Sequence, residues 1–266
     1  MSRLYTIIKY IEHRLSSRRW DSFHSPYLFR LFSYCCNDKI EFPEFEILES
    51  RRKRLLHSTE SIKRTDYGAG MQGSTLSADI RISRIARQSL SLPFQCRFLY
   101  RLMNLTKPKT CLEFGTSLGI ASSYIALGAA PGKLTTIEGD PVLASLACKL
   151  FAEQNIKNIT ALDSTFESFL KNDLPKTENF DFIFLDGNHK SIPLINYYQA
   201  LKSHFTRDTI MMVDDIYWSA DMQKGWKTLI TMPEVTQSVD CFRFGLLFFN
   251  NDFINKEHHP IRLPLI

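Results

Sequence analysis

The sequence predicts an α/β protein: a largely parallel sheet flanked by helices, closed by a C-terminal antiparallel hairpin, behind a helical N-terminal extension. Three observations predict it. From Thr110 onward, short apolar runs alternate with helical segments. Five of those runs stop at glycine or at a carboxylate, as strands do where an open α/β sheet meets its ligand. Two further β-rich runs, 235–241 and 244–250, are separated only by Phe242-Arg243, which reads as a hairpin.

The first 60 or so residues carry helical periodicity and no strand signal. Leu4, Ile7, Ile8, Ile11 and Leu15 form one stripe of an amphipathic helix, suited to packing on its own domain, on a second subunit or on a membrane. Phe23-His-Ser-Pro26 breaks the pattern, and helices resume over 27–36 and 44–57. Residues 64–75 are glycine-rich, and helical patterns return over 80–90 and 94–105 until Pro108. The expected domains are therefore a helical extension over 1–105, with a lid over 60–90, and a ligand-binding domain over 106–266. In that domain the expected strands are 110–114, 133–138, 159–163, 180–186 and 209–214, with helices near 118–128, 141–155, 166–171 and 191–205.

Composition excludes several classes. A 266-residue chain with 44% hydrophobic residues, 20 Phe and 10 Tyr has material for a large core. No apolar window is long enough to span a bilayer, and the N-terminus lacks a signal-peptide pattern, so a cytoplasmic location is expected. The six cysteines show no C-x-x-C spacing and read as reduced, packed thiols rather than a zinc site. The net charge of +5 comes entirely from residues 1–64, with Arg51-Arg-Lys-Arg54 the densest cluster. Such a region attracts anionic surfaces, but a solvated helix face is the preferred reading, and no aromatic-interleaved RNA-binding motif accompanies the cluster.

The chemistry-bearing residues sit at the predicted strand ends. The first strand runs into Glu113-Phe-Gly115-Thr116-Ser117-Leu-Gly119. Gly115 permits a tight turn and close approach to a ligand, and Gly119 permits close packing of the next helix. The spacing is G-x-x-x-G, not the G-x-G-x-x-G of the dinucleotide fingerprint. Glu113 suits a ligand bearing an ammonium or sulfonium and would repel a pyrophosphate. The second strand ends in Glu138-Gly139, where a carboxylate accepts bonds from both ribose hydroxyls of an adenosyl nucleoside. The third ends in Asp163-Ser164, placed either to meet an adenine edge or to cap the next helix.

The fourth strand ends in Asp186-Gly-Asn-His189. A neutral imidazole there could take a proton from a hydroxyl or amine; equally, it could cap the following helix. The fifth ends in Asp214-Asp215. Asp186, Asp214 and Asp215 are expected on one rim of the sheet, where three oxygens suit Mg²⁺ or another hard cation, although helix capping is the alternative. Asp66-Tyr-Gly-Ala-Gly70 repeats a D-x-G-x-G pattern, but the polar sequence before it is no buried strand.

Residues 110–250 resemble the class I S-adenosylmethionine (SAM)-dependent methyltransferases, particularly the cation-dependent O-methyltransferases typified by catechol and caffeoyl-CoA enzymes. Leu112-Glu-Phe-Gly-Thr-Ser-Leu-Gly119, Thr136-Ile-Glu138, Phe184-Leu-Asp-Gly-Asn-His189 and Val213-Asp-Asp-Ile216 carry the resemblance. With His24-Ser-Pro26 and Asp66–Gly70 included, the whole chain is similar to a methyltransferase-like family of Bacteroidetes-type bacteria. The resemblance implies a Rossmann-like sheet and SAM held by Glu113, Gly115, Thr116, Ser117, Gly119, Glu138, Gly139, Asp163, Ser164 and Asp186. It further implies catalysis by His189, Asp186 and Asp215 and a metal on Asp186, Asp214 and Asp215. This sequence has Asp215 where that branch usually has Asn, and His189 where catechol enzymes have Lys. The expected acceptor is a small molecule, nucleic acid is not expected, and the N-terminal helices could pair two chains as a homodimer. An NAD(P)-linked oxidoreductase and a non-catalytic SAM-fold binding protein are the rival readings.

Overall fold

A computed structural model describes residues 3–64, 78–253 and 255–264. Chain order begins with α1 (Arg3–Ser16), β1 (Arg18–Arg19), α2 (Pro26–Cys35) and α3 (Pro43–His57). Proline opens α2 and α3 at positions where no N–H is needed. In α3, Glu44 and Glu46 occupy the first turn and Arg54 and His57 the last, matching the helix dipole. Then come β2 (Ser61–Arg64), β3 (Ala78–Arg81), α4 (Ile82–Ser89) and α5 (Pro93–Thr106). Lys107, left-handed at φ 50°, ends α5, and Pro108 prevents its continuation.

The alternation expected from Thr110 follows as β4 (Thr110–Phe114), α6 (Ile120–Ala129), β5 (Lys133–Glu138), α7 (Pro141–Glu153), β6 (Ile159–Asp163) and α8 (Phe166–Ser168). The last elements are β7 (Phe182–Leu185), α9 (Ser191–Leu201), β8 (Ile210–Asp214), α10 (Ala220–Leu229), β9 (Gln237–Asp240), β10 (Phe244–Phe248) and β11 (Glu257–Arg262).

The chain divides into two compact units, Ser33–Asp173 and Met1–Phe32 with Leu174–Ile266. In the first, β4, β5 and β6 are parallel neighbours, with Glu113 opposite Thr136 and Glu138 opposite Asp163. Helices α5 and α6 pack together, burying Phe98, Leu99, Leu102, Tyr124 and Ile125. In the second, β7 and β8 are parallel, and the expected hairpin forms as β9–β10, with β10 antiparallel to β8. The residues of β8 and β10 are buried throughout, so these strands read as continuous apolar runs rather than alternating ones.

Three differences from the sequence expectation stand out. The hairpin is not the edge of its sheet: β9 pairs in parallel with β11, and β11 with β1. Neither the two-residue edge strand β1, with both residues exposed, nor β11, which reads Glu-His-His-Pro-Ile-Arg between β1 and β9 and buries only Ile261, carries a hydrophobic alternation that the sequence could show. Residues 61–64 and 78–81 pair as antiparallel β2–β3, where the sequence predicts no strand. Each contributes one isoleucine, Ile62 and Ile80, to a cluster with Ile82, Ile85, Ala86, Leu118 and Leu143. Helix α10 is a further element that the sequence pattern does not predict. Asp66–Gly70, and with it the centre of the expected lid, lies outside the described residues.

Candidate active site

Within Ser33–Asp173, the glycine loop is built on the ends of β4 and β5. Gly115 adopts φ 106° and donates its N–H to the Ile137 carbonyl at 3.0 Å. Gly119 adopts φ 75° and opens α6; a Cβ there would lie 2.8 Å from the Phe151 ring on α7. Both positions therefore require glycine. Ser117 is also left-handed, at φ 47°. Two backbone N–H groups hold the Glu138 carboxylate, Ser117 at 2.7 Å and Asp140 at 3.0 Å. Asp140 caps α7, accepting from Val142 N–H at 2.9 Å.

Glu113 is fully buried at the end of β4. It accepts from Ser122 Oγ at 2.5 Å and Thr136 Oγ1 at 2.6 Å, and Thr136 also meets Thr116 Oγ1 at 2.6 Å. Its other oxygen, Oε1, has no hydrogen-bond partner. Burial pushes its carboxyl up to about 7, against the two hydroxyl donors, which act to lower it.

Gly139 faces open space: a methyl group at its Cα would meet nothing nearer than 3.9 Å, at Ser164 and Thr165. Ser164 N–H donates to the Glu138 carbonyl at 3.0 Å, bringing the β5 and β6 ends together. The helix cap after β6 is Thr165, which accepts from Ser168 N–H at 3.1 Å. That removes capping as the role of Asp163, which stands exposed at the strand end.

Sequence reasoning missed two neighbours of this loop. Ser89, at the end of α4, shares a 2.8 Å hydrogen bond with Ser117. Phe166 stacks on Phe114 at 4.8 Å and 11°. Neither is foreshadowed locally: a serine at a helix end and a phenylalanine after a strand are ordinary residues until the chain folds back.

Within the other unit, β7 delivers Asp186 and His189, and the turn after β8 delivers Asp215 and Trp218. The His189 ring lies 5.3 Å from that of Trp218, tilted by 36°, and its Nε2 is 4.0 Å from Asp186 Oδ1. His189 Nδ1 is buried with no hydrogen-bond partner. Burial holds the imidazole below its ordinary range, with Asp215 pulling the other way. Asp215 is left-handed at φ 49° and raised by burial, with His189 and Arg243 opposing. Arg243 Nη1 stands 4.0 Å from Asp215 Oδ1. Capping does not explain His189 either, since the N–H and hydroxyl of Ser191 at the start of α9 both donate to Asp221, at 2.8 and 2.7 Å.

The turn bearing Asp215 and Trp218 is anchored by Tyr217. Its hydroxyl donates to Asp240 Oδ2 at 2.8 Å, and its ring stacks on Phe242 at 4.9 Å. Asp240 Oδ1 lies 3.1 Å from His13 Nε2 of α1, and both side chains are buried.

The expected metal set is not assembled. Among the described residues no three His, Cys, Asp or Glu side chains gather to hold an ion. Asp214 ends β8 as a buried strand residue opposite Phe244, while Asp215 turns out of the strand toward His189 and Arg243.

A glycine loop on parallel strands, an acidic second strand end and a terminal antiparallel hairpin define a Rossmann-like methyltransferase. Residues 83–239 match the family model described as O-methyltransferase, and the chain belongs to that family. It is a SAM-dependent methyltransferase, and the oxidoreductase alternative falls with that membership. No curated protein matches the chain. Among solved structures it is similar to SAH-bound PaMTH1 of Podospora anserina, at 16% identity and TM-score 0.58, over 86% of this chain and 97% of that one. It is also similar to a Bacillus cereus O-methyltransferase in complex with SAH, at 16% and 0.56, over 81% and 96%. TomG of Streptomyces achromogenes, an O-methyltransferase of tomaymycin synthesis in complex with SAM, matches at 22% and 0.54, over 61% and 82%.

Proposed function

We propose that the chain O-methylates a small molecule, with SAM held over residues 106–266 and residues 1–105 as a helical extension. The residues fit this cofactor. Glu113 Oε1 is an orphaned buried carboxylate oxygen suited to a cationic ligand, and Gly139 leaves open space beside the carboxylate of Glu138. In this reading Glu113, Gly115, Thr116, Ser117, Gly119, Glu138, Gly139, Asp163, Ser164 and Asp186 hold SAM. Bound SAM supplies an electrophilic methyl group on a sulfonium.

The observation that carries the acceptor chemistry is His189, kept neutral by burial with Nδ1 unpartnered, beside the half-exposed Trp218. Its imidazole takes the proton of the acceptor hydroxyl as the methyl is transferred. Asp186 orients the ring, and Asp215 stabilises the imidazolium that forms. Alignment of the acceptor on the Trp218 face contributes through positioning. Asp186, Asp214 and Asp215 are not gathered into a three-ligand cluster among the described residues, and His189 serves as the base without a metal in this reading.

The reading takes a homodimer through the N-terminal helices as the assembly. It places the protein in the cytoplasm, in keeping with six free cysteines. Calorimetry with S-adenosylhomocysteine, and SAH release with a panel of small phenols and amines, test it. Submillimolar SAH binding and turnover lost in His189→Gln are expected. Undisturbed turnover in that variant would remove His189 as the base.

A further inference from the structure

Helix α1 is mounted inside out. At 3.6 residues per turn, Leu4, Ile8, Ile11 and Leu15 fall within an arc of about 60°, and His13 lies opposite them. The face carrying His13 is the one docked on the chain's own fold. His13 reaches Asp240 at 3.1 Å, and the Tyr5 hydroxyl donates to Gln223 at 3.0 Å. The apolar stripe faces solvent: Leu4 is 65% exposed, Ile7 55%, Ile8 45%, Ile11 52% and Leu15 83%. An amphipathic helix ordinarily buries its apolar stripe, so this arrangement points to an occupant beyond the chain.

We infer that the occupant is α1 of a second copy, crossing antiparallel about a two-fold axis. A two-fold interface must be self-complementary. The centre line of the stripe, Leu4, Ile8, Ile11 and Leu15, is spaced four, three and four residues apart and reads the same from either end, with Ile7 at its margin. Antiparallel pairing sets Leu4 against the partner's Leu15 and Ile8 against the partner's Ile11, with the 4–3–4 spacing of a coiled-coil seam. The stripe offers on the order of 500 Å² per helix, the size at which a patch on a monomer is functional. Two copies together reach about 1,000 Å², the lower bound for a specific interface. Glu12 and Arg14 flank the stripe with opposite signs, and Lys9 pairs with Glu12 at 2.6 Å; the helix still carries three basic residues to one acidic, so an anionic lipid surface is the competing occupant that the vesicle experiment separates.

This pairing rests on the homodimer of the proposed function and specifies its geometry. The test uses the full chain. Sedimentation velocity at micromolar concentration is expected to give a dimer for the native protein. Ile8→Glu/Ile11→Glu is expected to give a monomer with unchanged circular dichroism and SAH affinity. Geometry is read by oxidation in a Cys148→Ser background, which removes the exposed native thiol. Mixed Leu4→Cys and Leu15→Cys chains should form a heterodisulfide. Leu4→Cys alone should not, because its own copies would lie about 16 Å apart. A monomeric native protein overturns both the pairing and the homodimer. A dimer that survives the double glutamate substitution, or that links Leu4→Cys to itself, overturns the pairing and leaves the homodimer standing. Binding to vesicles of anionic phospholipid that Ile8→Glu/Ile11→Glu abolishes, with the native protein monomeric, assigns the stripe to a membrane instead.

Discussion

The backbone N–H of Ser117 donates to Glu138 at 2.7 Å, so the carboxylate assigned to the ribose also holds the glycine loop in shape. Hydrogen bonds to a charged group contribute roughly 1.5–3 kcal/mol. Glu138→Ala is expected to weaken SAH binding about 10–100-fold and to lower thermal stability. Glu138→Gln, which can still accept from Ser117, should recover stability more than affinity. Calorimetry and thermal melts on both variants separate the two roles; equal losses in each measurement would leave Glu138 a loop brace alone.

Gly119→Ala meets two penalties at once, a left-handed φ and a Cβ 2.8 Å from the Phe151 ring. Destabilisation of about 2–4 kcal/mol is expected. Gly139→Ala, with nothing closer than 3.9 Å, should fold normally. Urea titration of the pair tests this, and similar midpoints would show that the α6–α7 contact yields easily.

Glu113 has a folded-state carboxyl raised to about 7 from an ordinary 4.5. The folded state therefore holds a proton that the unfolded chain releases between those values. Its contribution is fully present below about pH 4.5 and is lost as pH rises through 7, a change on the order of 3 kcal/mol. In Glu113→Gln that part of the stability–pH dependence should vanish. Denaturant midpoints for both proteins at pH 5 and pH 8 measure it; parallel pH dependence would contradict the burial argument.

For His189 the shift runs downward, because burial opposes the charged ring. The base is protonated, and inactive, only at acid pH. The pH profile of kcat/KM should rise and level off below the usual histidine value of about 6.5, with an apparent constant that belongs to the His189–Asp215 pair. Asp215→Asn removes the opposing carboxylate and should move the acid limb to lower pH. Movement toward higher pH would show that Asp215 is not the group raising His189.

His13→Ala leaves the buried Asp240 carboxylate with the Tyr217 hydroxyl and the Phe242 N–H as donors, at 2.8 and 2.9 Å. A loss of about 1–3 kcal/mol is expected. Ile8→Glu, on the solvent face of the same helix, should leave the stability of the monomer near native. Urea melts at low protein concentration compare them, and a larger loss for Ile8→Glu would mean that the stripe packs inside the chain.

The sequence by itself determined what is local or periodic. The runs at 110–114, 133–138 and 159–163 are strands because short apolar segments between helical patterns have few other ways to bury themselves. Gly115 and Gly119 fall at positive φ because the turn off β4 admits little else. Family and cofactor class were legible from those residues with Glu138. Tertiary structure decided whatever depends on which face a side chain takes. Asp214 and Asp215 are adjacent in sequence, yet one is buried as a strand residue and the other turns toward His189 and Arg243. Strands β1 and β11 have no pattern of their own because only pairing makes them strands. The stripe on α1 is plain in the sequence, but its direction is not. Periodicity records that a helix has an apolar face, while the buried bond between His13 and Asp240, 227 residues apart, turns that face outward.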